Sequence, residues 1–221
     1  MHVVQLQLPN EATFWALVAA NVGVYGLWKI APIDFMIRNF TLSDASLSPT
    51  RLHTLLLAPF SHYTAQQLCS SLFSLWAFGY TPCSVFGPRM IPIYVAGGAV
   101  ASVVHVIWAR NSQAQLAPQQ LGGDGAAAAA ALVPRELVAY GASGATRAFL
   151  AFATLTFPFS DFFGTPMPTR WLGAFFIAPD ISGAYEGTRG RGNTAHVANL
   201  CGAAVGAAAH LAWKFRIGGR W

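Results

Sequence analysis

Residues 139–152 read AYGASGATRAFLAF, and Ser143 is the only serine hydroxyl in the stretch, set between Gly141-Ala142 and Gly144 at the mouth of an apolar run. Glycines flanking a serine let a backbone turn tightly and leave the oxygen accessible. The same small residues let two membrane helices pack closely. Ser143 is therefore read two ways, as a nucleophile or as a small residue at a crowded helix crossing.

Composition bears on which solvent surrounds it. Of 221 residues, 54% are hydrophobic and 10% charged, against about 25% charged in ordinary soluble domains. The mean hydropathy is +0.45. So few charges cannot cover a soluble fold of this size, and the chain reads as an all-α polytopic membrane protein forming one domain over 1–221. Lys and Arg exceed Asp and Glu by 13 to 8. The excess is scattered and contains no dense basic run, so no nucleic-acid partner is expected. Cys69, Cys83 and Cys201 lack metal-like spacing and are odd in number; Cys69 and Cys201 lie inside apolar runs and read as free, buried thiols. No metal and no organic cofactor is implied. The N-terminal MHVVQLQLPNEATFW has neither the layout of a secretory signal nor an Arg-rich transit peptide.

Six spans are expected, at about 14–30, 54–80, 90–108, 137–157, 171–185 and 194–213. The fifth is short and interrupted by Pro179 and Asp180. Between the third and fourth, residues 111–136 are polar, then Gly-rich, then a run of alanines, and read as a surface insertion. Basic residues divide almost evenly between the two loop faces and give no orientation. Trp108, Trp171 and Trp213 near span ends read as interface anchors.

Polar groups within spans turn toward a bundle interior, because lipid cannot satisfy them. The fourth span carries Ser143, and the sixth carries His196 with Asn199 close behind. If the fifth span crosses, the fourth and sixth both enter from one face, with Ser143 and His196 at similar depth. A serine beside an imidazole is the smallest activated nucleophile. The Ser143 backbone N–H, at a helix start, is free to hold an oxyanion. Gln67 and Ser71 in the second span are the side-chain candidates for that task. Without catalysis, Gly-Ala-Ser-Gly is a packing motif and the histidine bonds a carbonyl.

Taken together, these motifs resemble the rhomboid intramembrane serine proteases. Gly141-Ala142-Ser143-Gly144 resembles the family's fourth-helix motif, and Ala195-His196 its sixth-helix histidine. FSHYTAQQLCSSLFSLWAFG resembles its second helix. AANVGVYGLWKIAP, MIRNF and IAPDISG look like the mitochondrial, presenilin-associated branch. The resemblance implies a six-helix core with a water-filled cavity, Ser143 as nucleophile and His196 as general base. It implies transmembrane segments as substrates, the lipid bilayer and neighbouring transmembrane helices as partners, and the mitochondrial inner membrane as the location.

Four positions depart from the family pattern. Gln67 and Ser71 stand where the family has an oxyanion histidine and asparagine. Loss of such a donor costs roughly 3–4 kcal/mol of transition-state stabilisation. Asn199 replaces a glycine and is expected either to push the fourth and sixth helices apart or to bond across the gap. Arg147 follows Ser143 by one helical turn and shares its face. A guanidinium beside the imidazole opposes imidazolium formation, unless Asp180, Glu186 or another subunit's carboxylate pairs with it. Two functions follow: an intramembrane serine protease, active or impaired, and a non-catalytic rhomboid-like subunit of an inner-membrane complex or translocase.

Overall fold

A computed structural model describes residues 11–42, 51–121, 141–162, 165–188 and 194–217. The fold is mostly helical. Helix α1 is Ala12–Ile30, α2 Ile33–Phe40 and α3 His53–Leu57; α4 is Ala65–Phe86 and α5 Met90–Leu121. Then come α6, Ser143–Thr156, α7, Thr169–Thr188, and α8, Thr194–Ile217.

The helices differ from the expected spans for local reasons. The segment 54–80 is not one helix. Pro59 sits in a 3-10 turn, Ala58–Phe60, and the chain runs extended through Ser61. Proline lacks the N–H that would continue the ladder of α3, the backbone turns extended at Ser61, and the helix restarts only at α4. Thr64 caps that start, with Gln67 N–H donating to Thr64 Oγ1 and Thr64 N–H to Gln67 Oε1, both at 3.2 Å. Helix α5 runs to Leu121, into the expected insertion: Gln, Ala and Leu there are good helix formers, and the helix continues past Pro118 up to the insertion's first glycine at 122. The alanine run and residues 137–140 lie outside the described residues. Helix α7 is continuous over 20 residues although Pro179 sits inside it.

The all-helical expectation needs one amendment. Pro158 closes α6, and a short antiparallel hairpin follows, β1 (Asp161–Phe162) and β2 (Thr165–Pro168). Thr169 ties its base, since both its N–H and its Oγ1 donate to the Ser160 carbonyl, at 3.0 and 2.8 Å. The thiols also differ from expectation. All three are free, but only Cys83 is buried, while Cys69 is exposed.

Among the described residues, two helical stretches are long and apolar enough to cross a membrane. One is 65–111, which holds α4 and α5 with the turn at Gly87–Arg89, and the other is Ala195–Arg216.

Helix α6 is the centre of the molecule. Gly144 to Thr146 and Ala148 to Ala153 are all buried, with α4, α5, α7 and α8 packed around them. Phe149, Leu150 and Phe152 join Leu75, Phe78 and Tyr94 in one core. Asn21 of α1 is buried in the same region. Its Nδ2 donates to the Leu17 carbonyl at 2.7 Å, and its Oδ1 accepts from Tyr94 Oη at 3.0 Å. That pairing satisfies two polar groups whose burial would otherwise be costly.

Helices α6 and α8 meet backbone to backbone. A side chain at Gly202 would strike the Gly144 backbone, and one at Gly206 the Ala148 backbone. Small residues four apart on each helix make this approach, as in membrane helix pairs.

Candidate active site

Ser143 opens α6, and the chain before it is fixed by Gly141. This residue has φ +113°, a conformation that L side chains rarely adopt. Its N–H donates to the Ala58 carbonyl at 3.1 Å, tying the loop to the 3-10 turn that precedes α4. The Ser143 side chain is exposed. Among the described residues its Oγ has no hydrogen-bond partner, and its N–H, at the first position of α6, has no intrahelical acceptor.

A cavity of about 260 Å³ adjoins it, lined by Ser70, Ser71, Phe73 and Ser74 from α4, Ser143, Thr146 and Arg147 from α6, and Phe176 from α7. Of the two oxyanion candidates, Ser71 lines this space. Gln67 does not. Its side chain is exposed and engaged with the backbone of Thr64.

His196 lies in the first turn of α8 and is half-buried. Its Nδ1 is bonded to Asp180 Oδ1 at 2.9 Å. Its ring packs so closely on Gly183 that any side chain there would overlap it. No hydrogen bond joins His196 to Ser143 among the described residues.

Asp180 is the element that reading the sequence only half identified. It is 2% exposed and reaches three side chains. Oδ1 accepts from His196 Nδ1 and from Asn199 Nδ2, the latter at 3.1 Å; Oδ2 accepts from Arg147 Nε at 2.5 Å. Arg147 therefore finds its partner in Asp180 rather than in Glu186 or a second subunit. Its guanidinium also lies 5.8 Å from the Phe176 ring centre. Asn199 takes neither of its two expected roles between α6 and α8. Its amide bonds across to α7, while Gly202 and Gly206 keep α8 against α6. Asn199 Oδ1 stays buried without a partner. A proline-aspartate pair inside an apolar run was the available signal for a buried charge, but the contact with His196 joins two helices across a loop and has no sequence spacing of its own.

The geometry is thus a serine with an unbonded hydroxyl opening a buried helix, and on an adjoining helix a histidine held by a buried aspartate. The chain belongs to the rhomboid family: the Rhomboid domain model matches residues 49–214. It is 33% identical to RHOMBOID-like protein 12, mitochondrial, of Arabidopsis thaliana over 211 residues, which is 93% of this chain and 59% of that protein. It is 36% identical to Rhomboid-like protein 16, chloroplastic, of the same plant over 92 residues, 40% of this chain and 29% of that protein. Human presenilin-associated rhomboid-like protein, mitochondrial, is 27% identical over 100 residues, 44% of this chain and 26% of that protein. The chain thus spans less than two thirds of each relative.

Proposed function

We propose that the chain is an intramembrane serine protease of the mitochondrial inner membrane that cuts transmembrane segments, with Ser143 as nucleophile and His196 as general base. The observation that carries this reading is the accessible, unbonded Ser143 hydroxyl on a cavity between α4, α6 and α7, beside a helix that bears His196 in its first turn. The six spans of this reading are α1, α4, α5, α6, α7 and α8. Helix α6 has 14 residues and so rises about 21 Å, less than the roughly 30 Å of a hydrocarbon core. In this reading a serine at the end of so short a central helix lies below the membrane surface, with the hydroxyls of Ser70, Ser71 and Ser74 beside it for water to bond.

The chemistry follows from the groups present. Ser143 Oγ attacks the scissile carbonyl as its proton passes to His196 Nε2. The Ser143 N–H and the Ser71 hydroxyl stabilise the tetrahedral oxyanion. The imidazolium then gives its proton to the leaving amine, and water attacks the acyl-enzyme with His196 again as base. The test is cleavage of a single-span reporter in proteoliposomes. The reading expects cleavage by the wild type and none by Ser143→Ala; cleavage that survives in Ser143→Ala, or none by folded wild type, counts against it.

A second reading has its own support. Ser143 and His196 share no hydrogen bond among the described residues, and Gln67 is occupied in a helix cap. A non-catalytic subunit that binds neighbouring transmembrane helices would have such a site. It predicts purification in fixed stoichiometry with an inner-membrane complex and no turnover by the isolated chain.

A further inference from the structure

We infer that Asp180 is a positioning residue for His196, and that Arg147 holds the Asp180 carboxylate in place by an ion pair. This deepens the protease reading above and rests on it. The geometry consists of one buried carboxylate with three donors from two other helices: Arg147 from α6, and His196 and Asn199 from α8. Asp180 itself belongs to α7, so it joins the helix of the nucleophile to the helix of the base.

The chemical consequence lies in the tautomer. An ionised carboxylate can only accept hydrogen bonds. Nδ1 of a neutral His196 must therefore carry the proton in that contact. Nε2 is left with its lone pair, the form a general base requires. With Asp180 removed, nothing selects that tautomer or fixes the ring. Asn199 and Arg147 act on the carboxylate in turn. Asn199 donates to the same oxygen as His196 and limits its rotation. Arg147 supplies the positive charge without which a carboxylate buried to this degree is costly.

During reaction the proton accounting is simple. Ser143 Oγ gives its proton to Nε2, and Nδ1–H stays on its nitrogen, bonded to Asp180. Nε2 then returns a proton to the leaving amine. Asp180 takes no proton at any step. It does not touch the substrate, and its effect is exerted through His196.

The test has a spectroscopic arm that does not depend on turnover. The full chain is prepared in detergent micelles with 15N-labelled histidine, and His196 is assigned by the signals lost in His196→Gln. At about pH 8, where an ordinary histidine is neutral, the wild type is expected to show Nδ1 protonated and Nε2 bare. Asp180→Asn is expected to shift the population toward the Nε2–H form, and Asp180→Glu to restore the wild-type pattern in part. Because Asp180→Asn alone leaves Arg147 without its carboxylate, the double variant Arg147→Gln with Asp180→Asn removes both charges and is expected to give the same shift in a folded protein. An unchanged tautomer in the double variant overturns the assignment.

The kinetic arm measures labelling of Ser143 by a fluorophosphonate probe. Asp180→Asn is expected to slow it by about 10²- to 10⁴-fold, the upper value being the loss seen when a triad aspartate becomes asparagine. For reporter cleavage the loss falls on kcat, with KM little changed. Wild-type labelling at the same rate as Asp180→Asn overturns the positioning role. Absent labelling of wild type together with the expected tautomer shift refutes the protease reading while leaving the Asp180–His196 contact in place.

Discussion

Gly202→Ala is the smallest change that separates α6 from α8. A Cβ at position 202 would stand 2.8 Å from both C and Cα of Gly144 and closer still to its carbonyl oxygen, where ordinary contact begins at 3.4 Å. The obstacle is backbone, so no side chain can rotate away. Relief requires the two helices to part by about 0.6–1 Å at the turn that follows His196, an overpacking cost of roughly 1–3 kcal/mol. A displacement of about 1 Å at a reacting pair can lower a rate about 100-fold. Gly23→Ala serves as the control, because a Cβ there meets nothing within 4 Å. Loss of a helical glycine in open space is expected to stabilise by about 0.5–1 kcal/mol. The assays are thermal unfolding in detergent and the rate at which a fluorophosphonate labels Ser143. Gly202→Ala should melt earlier and label about 100-fold more slowly, while Gly23→Ala should melt at or above wild type and label normally. If the two variants behave alike in both assays, the close crossing of α6 and α8 is not what brings the serine to the histidine.

Three other outcomes follow from the same coordinates. Tyr94→Phe leaves Asn21 Oδ1 buried without its donor and should cost about 1–3 kcal/mol in unfolding measurements, with less loss in Tyr94→Phe combined with Asn21→Leu. Ser71→Ala should slow labelling by about 10²- to 10³-fold if its hydroxyl holds the oxyanion, whereas Gln67→Ala should lower stability by about 1 kcal/mol through its helix cap and slow labelling less than about tenfold. Hydrogen bonds from Tyr80 and then Trp15 hold the Glu11 carboxyl below its usual range. A depressed carboxyl stabilises the fold above its unfolded value and loses that contribution as pH falls through the folded one. The melting difference between wild type and Tyr80→Phe should therefore be present at neutral pH and close as the solution is acidified past the ordinary carboxylate range.

The sequence and the structure agree where physics is local. Ser143 begins a helix because Gly141 supplies the turn before it, and the apolar run after it is buried as a run. Legibility fails where an interaction joins distant segments. Asp180 could be marked as a costly charge in an apolar span, and pairing with Arg147 was one of three open choices. That the same carboxylate also takes His196 and Asn199 depends on how α7 lies against α8. Asn199 looked like a wedge because the glycine expected at that position is absent. The close approach is made instead by Gly202 and Gly206, one and two turns further along. The second span looked continuous because hydropathy averages over Pro59, whose missing N–H decides the break. The end of α5 was hidden for a different reason: its glutamines are polar yet favour a helix, and Pro118 reads as a stop that the helix passes.

The central claim is that Ser143 is a nucleophile activated by His196. It is tested most directly by treating the purified, folded chain with a fluorophosphonate and locating the adduct by mass spectrometry. The account predicts a single adduct on Ser143 that is lost in both Ser143→Ala and His196→Ala. An unmodified Ser143 in folded wild-type protein, or an adduct that persists in His196→Ala, would contradict it.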